Sequence, residues 1–354
     1  MTEDSPAPPP PPKIDTPVPH SARIWNYWLG GRDNYPVDRE AGDRYREIYP
    51  QIVDTARAAR YFMARTVRYL AGEVGIRQFL DVGTGLPTVD NTHEVAQRVA
   101  PECQIVYVDN DPLVLAHARA LLTSSAKGAC DYIDADMRQP ATILTGAART
   151  LDLTRPVALL LMGVMGHISD YDEARGIVRG LLGGLPAGSY LALADSISSG
   201  RAHREAGERY AQTGAVPYQL RTPEQVQGFF AGLTLADPGV VPRPDWRPDP
   251  SPFPPPQVNT LGGVGRKDLP AGAGGRGEDT DRHVGRDVDD AADVVAVLNG
   301  RGDQFLEAAK QHDRLLRGWR GHSRAGQFGA LGEGADQVGE GRHHPAQERP
   351  GGGA

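Results

Sequence analysis

The stretch Phe79–Leu80–Asp81–Val82–Gly83–Thr84–Gly85–Leu86–Pro87–Thr88 limits the possible folds more than any other part of the chain. Gln78 to Val82 is apolar and β-prone, which predicts a short buried strand with Asp81 near its C-terminal end. Gly83 and Gly85 lack a Cβ, so the backbone can turn sharply there and a ligand can approach it closely. A helix is expected to open near Asn91–Thr92, with its free N–H groups toward the same crevice. That is the layout of a nucleotide-type pocket at the first strand of an open α/β sheet. A Gly-x-Gly turn alone is a weak signal in a chain with 43 glycines among 354 residues, so the surrounding order of elements has to carry the reading.

That order is an alternation. Strands are predicted at Gln104–Val108, Asp131–Ile133, Val157–Met162 and Tyr190–Ala194. Helices are predicted at Asn91–Val99, Pro112–Leu122, Asp172–Leu182 and Arg201–Gln212, and from the capping-box start Thr222–Pro223–Glu224–Gln225 to about Phe230. Leu233–Val241 and Val258–Gly265 suit a terminal antiparallel pair, joined by the Pro-rich loop Pro242–Pro256. Strand–helix alternation argues a doubly wound sheet. Right-handed crossovers bring the strand ends to one rim, and Asp81, Asp109, Asp136, Met162 and Asp195 all fall at or just past those ends.

The flanks differ in kind. Residues 1–19, with Pro8 to Pro12, read as a disordered Pro-rich leader. Residues 20–75 read as a helical lid. Trp25 and Trp28 share one face of a short helix, and Asp33 and Asn34 are placed to offer polar contacts. Further helices are expected over Asp38–Tyr49 and Ile52–Ala71. In the second, Ile52, Ala56, Ala59, Met63, Val67 and Leu70 form a buried stripe, and Arg60 is the arginine placed to turn toward an anionic group. Residues 76–267 form the core. From Asp268 the chain is rich in Gly, Arg, Asp, His and Gln, which predicts mostly disorder, with helical stretches only at Asp289–Leu298 and Gln304–Trp319. The tail histidines match no standard metal spacing.

A net charge of −7 without a basic face argues against nucleic-acid binding. Cys103 and Cys130 have no metal-type spacing. With no apolar leader and no apolar run approaching ~18 residues, the expectation is a cytoplasmic protein away from the membrane.

The acids define the chemistry of the pocket. Asp109 lies 24 residues after Gly85, at the end of the second strand, where a carboxylate can take both hydroxyls of a ribose. Asp136 and Met137 suit the amino edge and the face of an adenine, and Asp81 suits a cationic amino-acid moiety near the first turn. A dinucleotide would call for Gly-x-Gly-x-x-Gly, but the third glycine position holds Thr88, after Pro87. An acid two residues before the first glycine suits S-adenosylmethionine better.

At this point the chain resembles a family of S-adenosylmethionine-dependent methyltransferases of high-GC bacteria, formerly a domain-of-unknown-function family. The resemblance rests on Arg23–Ile24–Trp25–Asn26–Tyr27, Leu29–Gly30–Gly31–Arg32–Asp33–Asn34–Tyr35, the Phe79–Thr88 stretch, Val106–Tyr107–Val108–Asp109–Asn110–Asp111–Pro112 and Gly263–Val264–Gly265–Arg266–Lys267. It covers about Pro19 to Lys267. It implies a class I methyltransferase fold with a seven-stranded sheet, and cofactor contacts at Asp81, Gly83, Thr84, Gly85, Asp109, Asn110, Asp136 and Met137. Family members usually stop soon after the last of these motifs, so Asp268–Ala354 is an oddity, and translation out of the ancestral frame is one account of it.

For the chemical step, the loop after the fourth strand offers His167 as a base, with His93 as a second candidate. The loop carries no Asn-Pro-Pro-Tyr signature of amino-group methylation. The reading favours a small-molecule methyltransferase over a non-catalytic S-adenosylmethionine sensor and over an NAD(P)-dependent oxidoreductase.

Overall fold

A computed structural model of the chain describes residues 16–88, 90–121, 123–198 and 200–268. The expected leader up to residue 15, the tail from residue 269, its two helical stretches and its histidines lie outside the described residues.

Five parallel strands form the centre: β1 (Gln78–Val82), β2 (Gln104–Asp109), β3 (Ala129–Asp134), β4 (Ala158–Met162) and β5 (Tyr190–Ser196). At one side lie β6 (Thr234–Leu235), β7 (Val241–Pro242) and β8 (Thr260–Arg266). The order is β3-β2-β1-β4-β5-β8-β6, and β7 also pairs with β8, which runs antiparallel to β5. The sequence led to seven strands, but among the described residues the sheet has eight. The stretch read as one strand, Leu233–Val241, is cut in two by Asp237–Pro238–Gly239, since a proline cannot donate to the ladder.

Both faces of the sheet are covered, which is why β1 is buried throughout and reads as a continuous apolar run. Successive side chains go to opposite sides. Leu80, Val106, Val108, Leu159 and Leu161 pack with Ile143, Ile177 and Leu181 of α6 (Pro140–Ala147) and α7 (Tyr171–Gly183). Phe79, Ile105, Tyr107 and Leu160 pack with Phe62, Met63 and Val67 of α3 (Ile52–Tyr69) and Val95 of α4 (Thr92–Val99). Among the helices of the core, α6 escapes sequence reading: it is one short segment whose best signal is Pro140 at its first position. α5 (Pro112–Leu121) follows β2, and α9 (Pro223–Gly228) opens on the expected Thr222 capping box.

The helices before the sheet are α1 (Ser21–Trp28), α2 (Pro36–Ile48) and α3. Asp38 joins the first two. Its carboxylate, fully buried, accepts from the His20 and Tyr35 N–H groups at 2.9 and 2.8 Å and pairs with Arg23 at 3.2 Å. Trp28 meets Tyr45, and Tyr45 meets Tyr210 of α8 (Gly200–Ala211), with ring centroids 5.3 and 6.2 Å apart. Aromatic contact therefore ties the N-terminal helices to the far end of the core. Among the described residues, no helix is long and apolar enough to cross a membrane.

Candidate functional site

A cavity of about 300 Å³ lies where β1, β2 and β4 end, under α1, α3, α8 and the segment 216–220. Asp81, Gly83, Thr84, Gly85, Asp109, Asn110, Asp136, Met137 and His167 all line it. Side chains up to 86 residues apart in the chain thus meet in one space, as the strand-end argument required.

The first turn has the backbone that the two glycines allow. Gly83 and Gly85 have φ of +73° and +68°, the left-handed region that side chains disfavour. The Gly83 N–H donates to the Val108 carbonyl at 2.8 Å, locking the turn to β2. A Cβ on Gly83 would stand 2.4 Å from a methyl of Val164, whereas one on Gly85 would meet nothing within 4 Å.

Asp109 is held by the turn it faces. Its Oδ2 accepts from the Gly85 N–H and its Oδ1 from the Asp111 N–H, both at 2.9 Å. Burial pushes its pKa up, against those two bonds. Asp81 is only 6% exposed and accepts from the Thr92 hydroxyl at 2.6 Å. Burial raises its pKa to about 6, although the Thr92 bond and the nearby Arg60 pull the other way. Arg60 does reach the cavity, as expected, but its guanidinium donates to the Asp90 carbonyl at 2.9 Å and balances Asp81. Asp136 accepts from the Arg138 N–H at 2.9 Å.

His167 sits in a short 3₁₀ turn, Met165–His167, with Nδ1 3.3 Å from the Pro217 carbonyl. A carbonyl only accepts, so Nδ1 carries the hydrogen and Nε2 presents a lone pair. Burial lowers the pKa of the ring and favours the neutral form.

Three expectations are corrected. His93 does not line the cavity: it is buried against Tyr107, whose hydroxyl lies 2.8 Å from both its N–H and its Nδ1. It is a packing residue because α4 turns it onto the sheet. Asp33 and Asn34 also stay outside the cavity, because the Asp33 N–H and the Asn34 amide both donate to Asn26 and brace the Gly30–Gly31 turn. Asp195 is not on the rim, because β5 runs on to Ser196 and encloses it completely.

Other lining residues escaped sequence reasoning. His20 stands 2.9 Å from Asp111, and His203 stacks on Tyr49 at 4.2 Å and is kept neutral by burial, with a pKa near 4. Tyr218 arrives on a segment that crosses the sheet end: the Gln219 N–H donates to the Gly166 carbonyl at 2.7 Å, and Arg221 donates to the carbonyls of Met165 and Ile168. Only the aromatic character of the lid hinted at this wall.

The sequence pattern of the S-adenosyl methyltransferase family matches residues 8–268. The chain belongs to that family. Two solved structures agree with the assignment. A DUF574 family protein from Streptomyces avermitilis shares 45% identity over 72% of this chain and 100% of its own, with a TM-score of 0.69. A methyltransferase, so described provisionally, from Thermobifida fusca YX shares 39% identity over 73% of this chain and 99% of its own, with a TM-score of 0.67. No curated protein matches the chain.

This methyltransferase uses S-adenosylmethionine, and the donor set fits such a cofactor. Three carboxylates, Asp81, Asp109 and Asp136, share the cavity with Gly85, whose free side leaves room for a ligand against the backbone. Two of the three are held toward the neutral form by burial, a cost that a cationic ligand relieves.

Proposed function

We propose that this methyltransferase acts on a small-molecule acceptor enclosed between the sheet end and the helices of residues 20–75, which serve as a lid. The observation that supports this is the gathering of nine of the residues nominated from sequence around one cavity that Trp25, Tyr45, Tyr210 and Leu220 also line.

Asp109 takes the ribose hydroxyls, Asp136 and Met137 frame the adenine, and Asp81 pairs with the ammonium of the methionine end. Gly83, Thr84, Gly85 and Asn110 supply backbone and close approach. When bound, the cofactor supplies an electrophilic methyl group on a sulfonium. The protein's part is alignment, exclusion of water and removal of a proton. His167, with Nδ1 tied to Pro217, presents Nε2 to receive that proton. Among the described residues, the two arginines that line the cavity are already engaged, Arg60 by the Asp90 carbonyl and Arg138 by Asp136 and Glu173, which disfavours an acidic acceptor. A soluble, cytoplasmic enzyme of small-molecule metabolism fits this picture.

Calorimetry with S-adenosylhomocysteine and with NAD is the direct test. Binding of the first and not the second is expected. The reverse would refute the reading.

A further inference from the structure

The end of the cavity beyond Gly163 carries two hydrogen-bonding groups whose own hydrogens are turned away from it. The Tyr218 hydroxyl donates to Asp195, a carboxylate with no solvent exposure that also accepts from the Ser196 N–H at 2.9 Å. The Tyr218 oxygen, which the Ser196 N–H also approaches, keeps a lone pair to accept a hydrogen from the cavity that Tyr218 lines. His167 has committed its Nδ1 hydrogen to Pro217, so Nε2 is an acceptor as well. The two rings meet edge to face with centroids 5.1 Å apart, and both line the cavity. A Cβ built on Gly163, the residue that follows β4, would stand 4.0 Å from the Tyr218 hydroxyl and 3.6 Å from Arg243. Asp195 and Arg243 are buried together behind Tyr218; burial raises the carboxyl, and the Tyr218 hydrogen bond and the guanidinium oppose that rise.

Two neighbouring acceptors select for an atom that carries two hydrogens. A hydroxyl satisfies one of them and leaves the other without a partner, and an ether or carboxylate satisfies neither. An amino nitrogen satisfies both, and its lone pair then points in the remaining direction. Trp25, Tyr45, Tyr210, Met162, Val216 and Leu220 line the same cavity, and these aromatic and apolar side chains suit a flat frame.

We propose that the acceptor is an aromatic amine, with its two N–H groups bound by Tyr218 Oη and His167 Nε2. This rests on the methyltransferase reading above and narrows it. The nitrogen lone pair forms the N–CH₃ bond as the S–CH₃ bond breaks with its electron pair left on sulfur. Positive charge passes to nitrogen, which then gives one hydrogen to His167 Nε2. Tyr218 touches the acceptor, and Asp195 acts through it as a positioning residue.

The test uses the full chain saturated with S-adenosylhomocysteine, titrated by NMR with aniline, phenol and N,N-dimethylaniline. Aniline is expected to bind about tenfold tighter than N,N-dimethylaniline, and tighter than phenol. Tyr218→Phe and His167→Phe should each shrink the preference for aniline over N,N-dimethylaniline by about three- to tenfold, with unchanged affinity for S-adenosylhomocysteine. Equal binding of the probes, a preference for phenol, no aniline binding, or an intact preference in Tyr218→Phe would overturn the proposal. Failure to bind S-adenosylhomocysteine would instead strike the cofactor reading on which it rests.

Discussion

Asp81 gives the sharpest quantitative expectation. Its carboxyl is enclosed, its pKa stands at about 6 against an ordinary 3.8, and it is proposed to meet the cofactor's ammonium. Only the ionised form makes that pair, so affinity follows the ionised fraction of the free protein. With a pKa of about 6, that fraction is nearly complete at pH 7.5 and about a tenth at pH 5. S-Adenosylhomocysteine should therefore bind about tenfold more weakly at pH 5 than at pH 7.5, a loss of about 1.4 kcal/mol. The amino and carboxyl groups of the ligand itself do not titrate in this window. Binding at pH 6 should also release protons, visible as a dependence of the calorimetric heat on the ionisation enthalpy of the buffer.

Asp81→Asn isolates the residue, because the amide oxygen still accepts from Thr92. The variant should bind more weakly at pH 7.5 and lose most of the pH dependence, leaving the smaller slope due to Asp109, which burial also raises. If wild type and variant show the same slope, the cation does not sit on Asp81 and the reasoning fails. The sign for stability is opposite. A raised carboxyl holds extra protons in the fold, so its contribution to the stability of the unliganded protein falls as pH rises from 3.8 through about 6.

Three further outcomes follow from the geometry. Asp109→Ala should weaken S-adenosylhomocysteine binding by ~1–3 kcal/mol, since it removes a buried acceptor and frees the Gly85 and Asp111 N–H groups; calorimetry reads this directly. Gly85→Ala should cost only the ~1 kcal/mol of left-handed backbone, while Gly83→Ala adds a collision with Val164, so its melting temperature should fall further. Asp38→Asn weakens a buried pair with Arg23 while leaving the shape intact. A loss of ~1–3 kcal/mol is expected, with faster amide exchange in α1 and α2 than in β1.

What the sequence disclosed was set by local rules. The Gly83–Gly85 turn, the Thr222 box and the apolar strands can each be read within ten residues, because period, caps and left-handed positions act at that range. A doubly wound sheet then followed from alternation, and with it the rim on which Asp81, Asp109 and Asp136 lie. The errors came from end effects and from long-range contact. Two extra residues on β5 moved Asp195 from rim to interior, and one Asp-Pro-Gly interrupted what read as a single edge strand. Tyr218 gave no local signal. Its place comes from hydrogen bonds between the segment 217–221 and the turn Met165–Ile168, some fifty residues apart. No periodicity encodes such a pairing.

The same division runs through the cavity. The end near the first turn is acidic and was legible, since strand ends and spacing reveal where carboxylates go. The end near Gly163 is neutral at its surface, with its one carboxylate, Asp195, sealed behind a tyrosine. Charge that attracts a cation before reaction also holds it there, so carboxylates at the first end strengthen binding without speeding transfer. Only charge placed behind the acceptor gains as positive charge arrives on it. Behind Tyr218 the buried Asp195 lies beside the Arg243 guanidinium, so the group that answers charge arriving on the acceptor is the Tyr218 hydroxyl polarised by its bond to Asp195, which a rim acid open to solvent would not provide.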